Sequence, residues 1–252
     1  MSNKTSKGFT LIELLVVVAI LAVLAALAFP VLAKARESGT QAAEVSAARK
    51  LMAGMHSYSA DNGGQILPAI ASRGNAGEVR DAAGDPVSGQ AALRYAWRLA
   101  PYIGYDVDDT LLASKPEIED KTDPYMVSLV TSFGINAVYV GGDFGGPLSP
   151  DNPRAISRLG SFCVTRAVQA VQPSKLIVFA SAYYNDSRIG GRQPGYHKVE
   201  APDVNVDFRH NERALVACLD GHAEFLTRDQ MKDMRRWSNL AAAADDPNKT
   251  LR

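Results

Sequence analysis

FTLIELLVVVAILAVLAALAFPVLA, residues 9–33, contains a single charged residue, Glu13, and follows a short polar stretch, MSNKTSKG, at 1–8. The 20 residues from Leu14 to Ala33 would rise roughly 30 Å as a helix, the thickness of a bilayer core. Lys34, Arg36 and Glu37 end the run abruptly. Lys4 and Lys7 favour an inside N-terminus, but basic residues flank both ends, so charge asymmetry alone decides little about orientation. Three readings compete for this segment. A simple transmembrane anchor has the length but must account for Glu13. A cleaved secretory signal has the basic start, the apolar centre and a small-residue site at Ala26-Leu27-Ala28, but its core is long for a signal. The third gives Glu13 a task, because a carboxylate is costly in lipid and intramembrane charges mark function.

The stretch KGFTLIELLVVVAILAVLAALAFP closely resembles the N-terminal signal of type IV prepilins and type II secretion pseudopilins. The resemblance implies cleavage by a prepilin peptidase between Gly8 and Phe9, with Phe9 becoming an N-methylated first residue. Glu13 then falls at the fifth mature position, where that family has its glutamate. Pro30 falls where many pilins bend the helix. The implied partners are the prepilin peptidase, other pilin or pseudopilin subunits and the inner membrane. The implied location is a single pass with a periplasmic C-terminal head, or a filament at the cell surface. Elementary electrostatics points the same way. Cutting after Gly8 creates a cationic amine four positions from Glu13, and a carboxylate in lipid needs such a partner. Each subunit carries one of each, so the pairing repeats head to tail and builds an open helical filament. On this reading Glu13 promotes assembly.

Beyond Pro30 the helical pattern resumes. Val45, Ala48, Leu51, Met52, Met55 and Tyr58 recur at three- and four-residue spacings, and Asp61-Asn62-Gly63-Gly64 is a stop signal. One long helix from about Phe9 to Tyr58, kinked at Pro30, is expected, with His56 as a half-buried structural histidine. Residues 62–90 read as loop, 88–103 as an amphipathic helix, 127–142 as a strand broken near Gly134, 174–183 as a strand and 188–199 as loop. VNVDFRH (204–210), ALVACLD (214–220) and HAEFLT (222–227) read as a meander whose Asp220-Gly221 is a hairpin turn. A last helix is expected near 230–244. The expected organisation is a leader at 1–8, a membrane or filament-core helix at 9–33, its periplasmic half at 34–61, and a head at 62–252 that includes the meander 204–227. The expected fold class is α+β: a pilin-like long bent helix packed on an antiparallel sheet with loop insertions.

His210, nine further residues and then Asp220-Gly221 resemble the H-X9-DG processing-associated domain of prepilin-like proteins. LMAGMHSYSADNGGQILP, SFGINA and VQPSKLIVFASA fit the same resemblance, which assigns these residues no biochemical role. A straight strand over 214–219 would advance roughly 20 Å and place His210 and Asp220 at opposite ends of the hairpin, so both read as structural. His222 and Asp220 meet across the turn, but two donors fall short of the roughly six to eight oxygens that calcium takes.

The charge balance, 27 basic against 27 acidic residues, gives no electrostatic case for a nucleic-acid partner. Cys163 and Cys218 are too few for a disulfide scaffold or zinc cluster and are expected to be free thiols. None of the common hydrolase, metalloprotease, phosphate-loop or dinucleotide motifs occurs. No catalytic residue, metal or cofactor is expected. The rival to a filament subunit is an anchored or secreted surface protein whose head binds glycan or protein without polymerising.

Overall fold

The computed structural model of the chain describes residues 11–74, 77–115, 120–186 and 191–250. They fall into two compact units, Met1–Ala42 and Ala43–Arg252.

The first unit holds most of the apolar half of α1, Leu11–Asp61, a 51-residue helix that continues into the second. Pro30 lies inside α1 without ending it. From Leu11 to Leu32 every side chain is exposed, around the whole circumference of the helix. Apart from Glu13 this surface is apolar, and one of this extent needs a lipid or protein environment to cover it.

In the second unit α1 changes character. Glu44, Ala47, Ala48, Leu51, Met52 and Met55 are buried while Ser46, Arg49, Lys50 and Ala53 face solvent. The helix stops where expected: Gly63 has φ +62°, and the Gly64 N–H donates to the Ser59 carbonyl at 2.7 Å. That bond closes a Schellman-type cap, which glycine makes without strain.

Besides short 3-10 and π turns, the remaining elements among the described residues are, in chain order, β1 (Val79–Arg80), β2 (Pro86–Val87), α2 (Gly89–Leu93), α3 (Tyr95–Leu99), α4 (Pro124–Leu129), β3 (Phe133–Asn136) and α5 (Pro153–Leu159), then β4 (Ile177–Ser181), β5 (Tyr183–Asp186), β6 (Gly191–Pro194), β7 (Lys198–Val199), β8 (Arg213–Cys218), β9 (Ala223–Thr227), α6 (Arg228–Met231) and α7 (Asn239–Ala244). Five strands form the main sheet in the order β7-β3-β4-β8-β9, while β1 with β2 and β5 with β6 make small ribbons. The fold is α+β, consistent with a pilin-like arrangement. The main sheet is mixed and not purely antiparallel, because β7 runs parallel to β3. Its central strands β3, β4 and β8 are buried almost throughout and share one apolar core with Leu51, Met52 and Met55 of α1.

Several local expectations are corrected. The 88–103 helix is interrupted at Arg94, whose extended backbone caps both α2 and α3. The chain at 69–71 takes over the hydrogen bonds there: Ala71 N–H donates to Leu93 O at 2.8 Å and Tyr95 N–H to Ala69 O at 3.0 Å. Residues 127–142 begin as helix α4, and β3 runs straight through Gly134. Glycine stands there for close approach: a Cβ on Gly134 would meet the Lys198 carbonyl carbon at 2.6 Å. The stretch 188–199, read as loop, supplies β6 and β7. VNVDFRH is no strand; Val206 makes only an isolated bridge to Ala182. The last helix is split by Met234 and Trp237, which turn into the core, and Asn136 holds the split by donating to the Trp237 carbonyl at 3.0 Å.

Candidate functional site

Gly8 and Phe9, the residues expected at the processing site, lie outside the described residues, as does the rest of the leader. Glu13 lies in the first turn of α1 with its side chain exposed. It is the only acidic residue in an apolar surface, mostly leucine, isoleucine, valine and alanine with Phe29 and Pro30, that extends to Leu32.

His210 and Asp220 stand at opposite ends of the β8–β9 hairpin. His210 is buried, and its Nε2 lies 2.9 Å from Glu44 Oε2 on α1. Arg209 grips the same carboxylate, with Nη2 at 2.8 Å and Nε at 3.1 Å from Oε2. The guanidinium also donates to Asp207 Oδ2 at 3.1 Å and to the carbonyls of Ala182 and Ser132, each at 3.3 Å. Glu44 is only 1 % exposed. Burial opposes its ionisation, but the His210 hydrogen bond and the Arg209 charge outweigh burial and hold the carboxyl below its ordinary range. A buried ion pair persists when its remaining hydrogen-bonding capacity is met, and the contacts of Arg209 meet it here.

At the other end, Asp220-Gly221 makes the turn. The Gly221 N–H donates to Cys218 O at 2.9 Å, and Gly221 has φ +98°, a conformation that favours glycine. His56 of α1 places Nε2 2.7 Å from Leu219 O, and its ring lies against Gly221. His56 is thus an exposed ring tied to the turn by one bond. Glu44 and His56 are twelve positions apart, roughly 18 Å along a helix, and the six-residue β8 spans roughly 20 Å. The nine-residue spacing between His210 and Asp220 therefore matches a two-point latch: one hairpin end holds α1 at Glu44, the other at His56.

Asp220 Oδ1 also lies 2.6 Å from His222 Nδ1, and these contacts lower its carboxyl pKa. Cys218, His222 and Glu224 at this end bring one potential ligand atom each within 4.8 Å of one another. Cys163 and Cys218 are both free and buried, and burial pushes each thiol up to about 12.

A separate cleft of about 650 Å³ opens on the second unit, lined by Arg73, Gln90, Arg94, Asp143, Lys198 and Glu200 among others. Lys198 Nζ bridges Asp143 and Glu200, at 3.5 Å from each.

Sequence reasoning missed Glu44 and Arg209. A signal for Glu44 was present: it shares the i, i+4, i+7, i+11 face with Ala48, Leu51 and Met55, and a carboxylate on an apolar face needs a buried partner. Arg209 carried no such signal, because FRH was read as alternating strand.

Comparison with known proteins gives one result. A family profile described as the prokaryotic N-terminal methylation motif matches residues 3–29. No match to the chain was found among curated proteins or among solved structures. The motif spans Gly8, Phe9 and Glu13 and runs into the exposed apolar length of α1. The chain thus carries a prepilin-type N-terminal signal on a membrane-capable helix, which supports a type IV pilin-like structural subunit.

Proposed function

We propose that the protein is a prepilin-like subunit. It is cut after Gly8 and N-methylated at Phe9 by a prepilin peptidase, held in the inner membrane with its head in the periplasm, and assembled into a type IV pilus or type II secretion pseudopilus. The observation that carries this reading is the methylation motif at residues 3–29 lying over a helix whose apolar side chains are exposed on all sides. Lipid covers that surface before assembly, and neighbouring apolar helices cover it in the filament. Glu13, in the first turn, pairs with the methylated amine of an adjacent subunit; each charge is costly alone in a low-dielectric setting. Mass spectrometry of the native protein's N-terminus tests this. A chain that begins with N-methyl-Phe9 supports it, and one that begins at Met1 or Phe29 rejects it.

The cleft beside Lys198 favours a second reading, in which the anchored or secreted head binds glycan or protein without polymerising. Retention of the head on glycan or peptide arrays, together with the absence of filaments, would select it.

A further inference from the structure

Beyond any role in a filament, the geometry points to a zinc-class divalent cation site at the turn end of the β8–β9 hairpin, with Cys218 Sγ, His222 Nε2 and a Glu224 carboxylate oxygen as ligands. The register brings the three to one face. Glu224 is directly opposite Val216, so Cys218, two residues after Val216, and His222, two residues before Glu224, point to the same side of the ladder. One ligand atom from each lies within 4.8 Å of the other two. Tetrahedral ligands about 2.0–2.3 Å from zinc stand roughly 3.3–3.7 Å apart, so closure onto a cation requires only side-chain movement.

Two further contacts fit a metal. His222 Nδ1 is 2.6 Å from Asp220 Oδ1. A carboxylate only accepts, so in the neutral ring the proton sits on Nδ1, and the Nε2 lone pair then faces Glu224 Oε1 at 3.7 Å. Two lone-pair-bearing atoms at that distance do not hydrogen-bond, and a cation between them satisfies both. A carboxylate behind a ligating imidazole is the arrangement that orients and strengthens metal-binding histidines. Arg236 donates to Glu224 Oε1 at 2.7 Å from outside. With the thiolate formed, Cys218, Glu224 and Asp220 against Arg236 leave two negative charges, which a divalent cation neutralises. Binding releases the Cys218 proton to solvent. Sulfur, imidazole and carboxylate together favour zinc over calcium or magnesium. The His222 side chain is 41 % exposed, so solvent reaches the site and supplies a fourth ligand.

The test uses the full chain in detergent, stripped with a chelator and titrated with Co²⁺ and then Zn²⁺. One Co²⁺ per chain with a thiolate-to-cobalt charge-transfer band is expected, the band being displaced by Zn²⁺ and retained in Cys163→Ala. Cys218→Ala should abolish it. His222→Gln, an exposed position that leaves the core intact, should weaken Zn²⁺ binding at least tenfold, and Asp220→Asn by about 10–100-fold. The absence of a thiolate band, or equal Zn²⁺ affinity in wild type and His222→Gln, would overturn the site. Neither result depends on filament assembly.

Discussion

Glu44 and His210, 166 residues apart in the chain, are in contact through a 2.9 Å hydrogen bond between two almost fully buried side chains. The contact ties the helix to the first end of the hairpin, and the bond from His56 to Leu219 O ties it to the second. The same helix carries the apolar segment that would enter membrane or filament.

Removing the carboxylate should be costly. Glu44→Gln leaves the largely buried Arg209 guanidinium with Asp207 as its remaining counter-charge, and breaking one side of a buried pair costs up to about 3–5 kcal/mol. His56→Ala, which loses one exposed-side bond, should cost about 1 kcal/mol. Urea denaturation of the full chain in detergent, followed by tryptophan fluorescence, measures both. A loss at Glu44→Gln no larger than at His56→Ala would reject the latch.

Acid should destabilise the second unit in two stages. Burial, reinforced by the charges of Arg94 and Lys198, lowers the His197 pKa to about 3, and its Nδ1 has no hydrogen-bond partner among the described residues. The unfolded chain therefore takes up the proton first. Stability is complete above about pH 6.5 and falls toward pH 3 by up to about 1.4 kcal/mol per unit. The depressed Glu44 carboxyl adds a second loss, which begins only as pH falls below its ordinary value of about 4.3. Urea midpoints between pH 7.5 and 4.5 should show the first stage, and His197→Phe should flatten it. A wild-type profile already flat over that interval would contradict the assignment.

Gly134→Ala should loosen the β3–β7 edge. The added Cβ would stand 2.6 Å from the Lys198 carbonyl carbon and 2.9 Å from its oxygen. Backbone must yield, at about 1–3 kcal/mol. Hydrogen exchange at Ile135, whose N–H donates to His197 O at 3.2 Å, should speed up before exchange in β8 does. Unchanged protection at Ile135 would mean that β7 accommodates the methyl without moving.

Glu13→Val should leave N-terminal processing and membrane insertion intact while filament incorporation falls to background. Mass spectrometry, membrane fractionation and electron microscopy of sheared filaments separate the three. Normal filament yield from this variant would remove Glu13 from the assembly mechanism.

Period and punctuation were legible in the chain itself. The unbroken apolar run, the face from Val45 to Tyr58, the cap at Gly63-Gly64, the Asp220-Gly221 turn and the strands around Val178 and Val216 each depend on contacts within a few residues, so local pattern suffices. The sequence also carried the processing motif, because a peptidase signal is read as linear chain. What it could not determine were choices made by distant partners. Arg94 breaks a helix because residues 69–71 claim its hydrogen bonds, and Gly134 continues a strand because β7 approaches its backbone. Glu44 is buried because Arg209 and His210 arrive from the far end of the chain. Cys218, His222 and Glu224 face one another only once the β8–β9 register is set. Local propensities differ by about 1 kcal/mol or less per residue. A buried carboxylate or a clash with backbone outweighs that, so tertiary structure decided these positions.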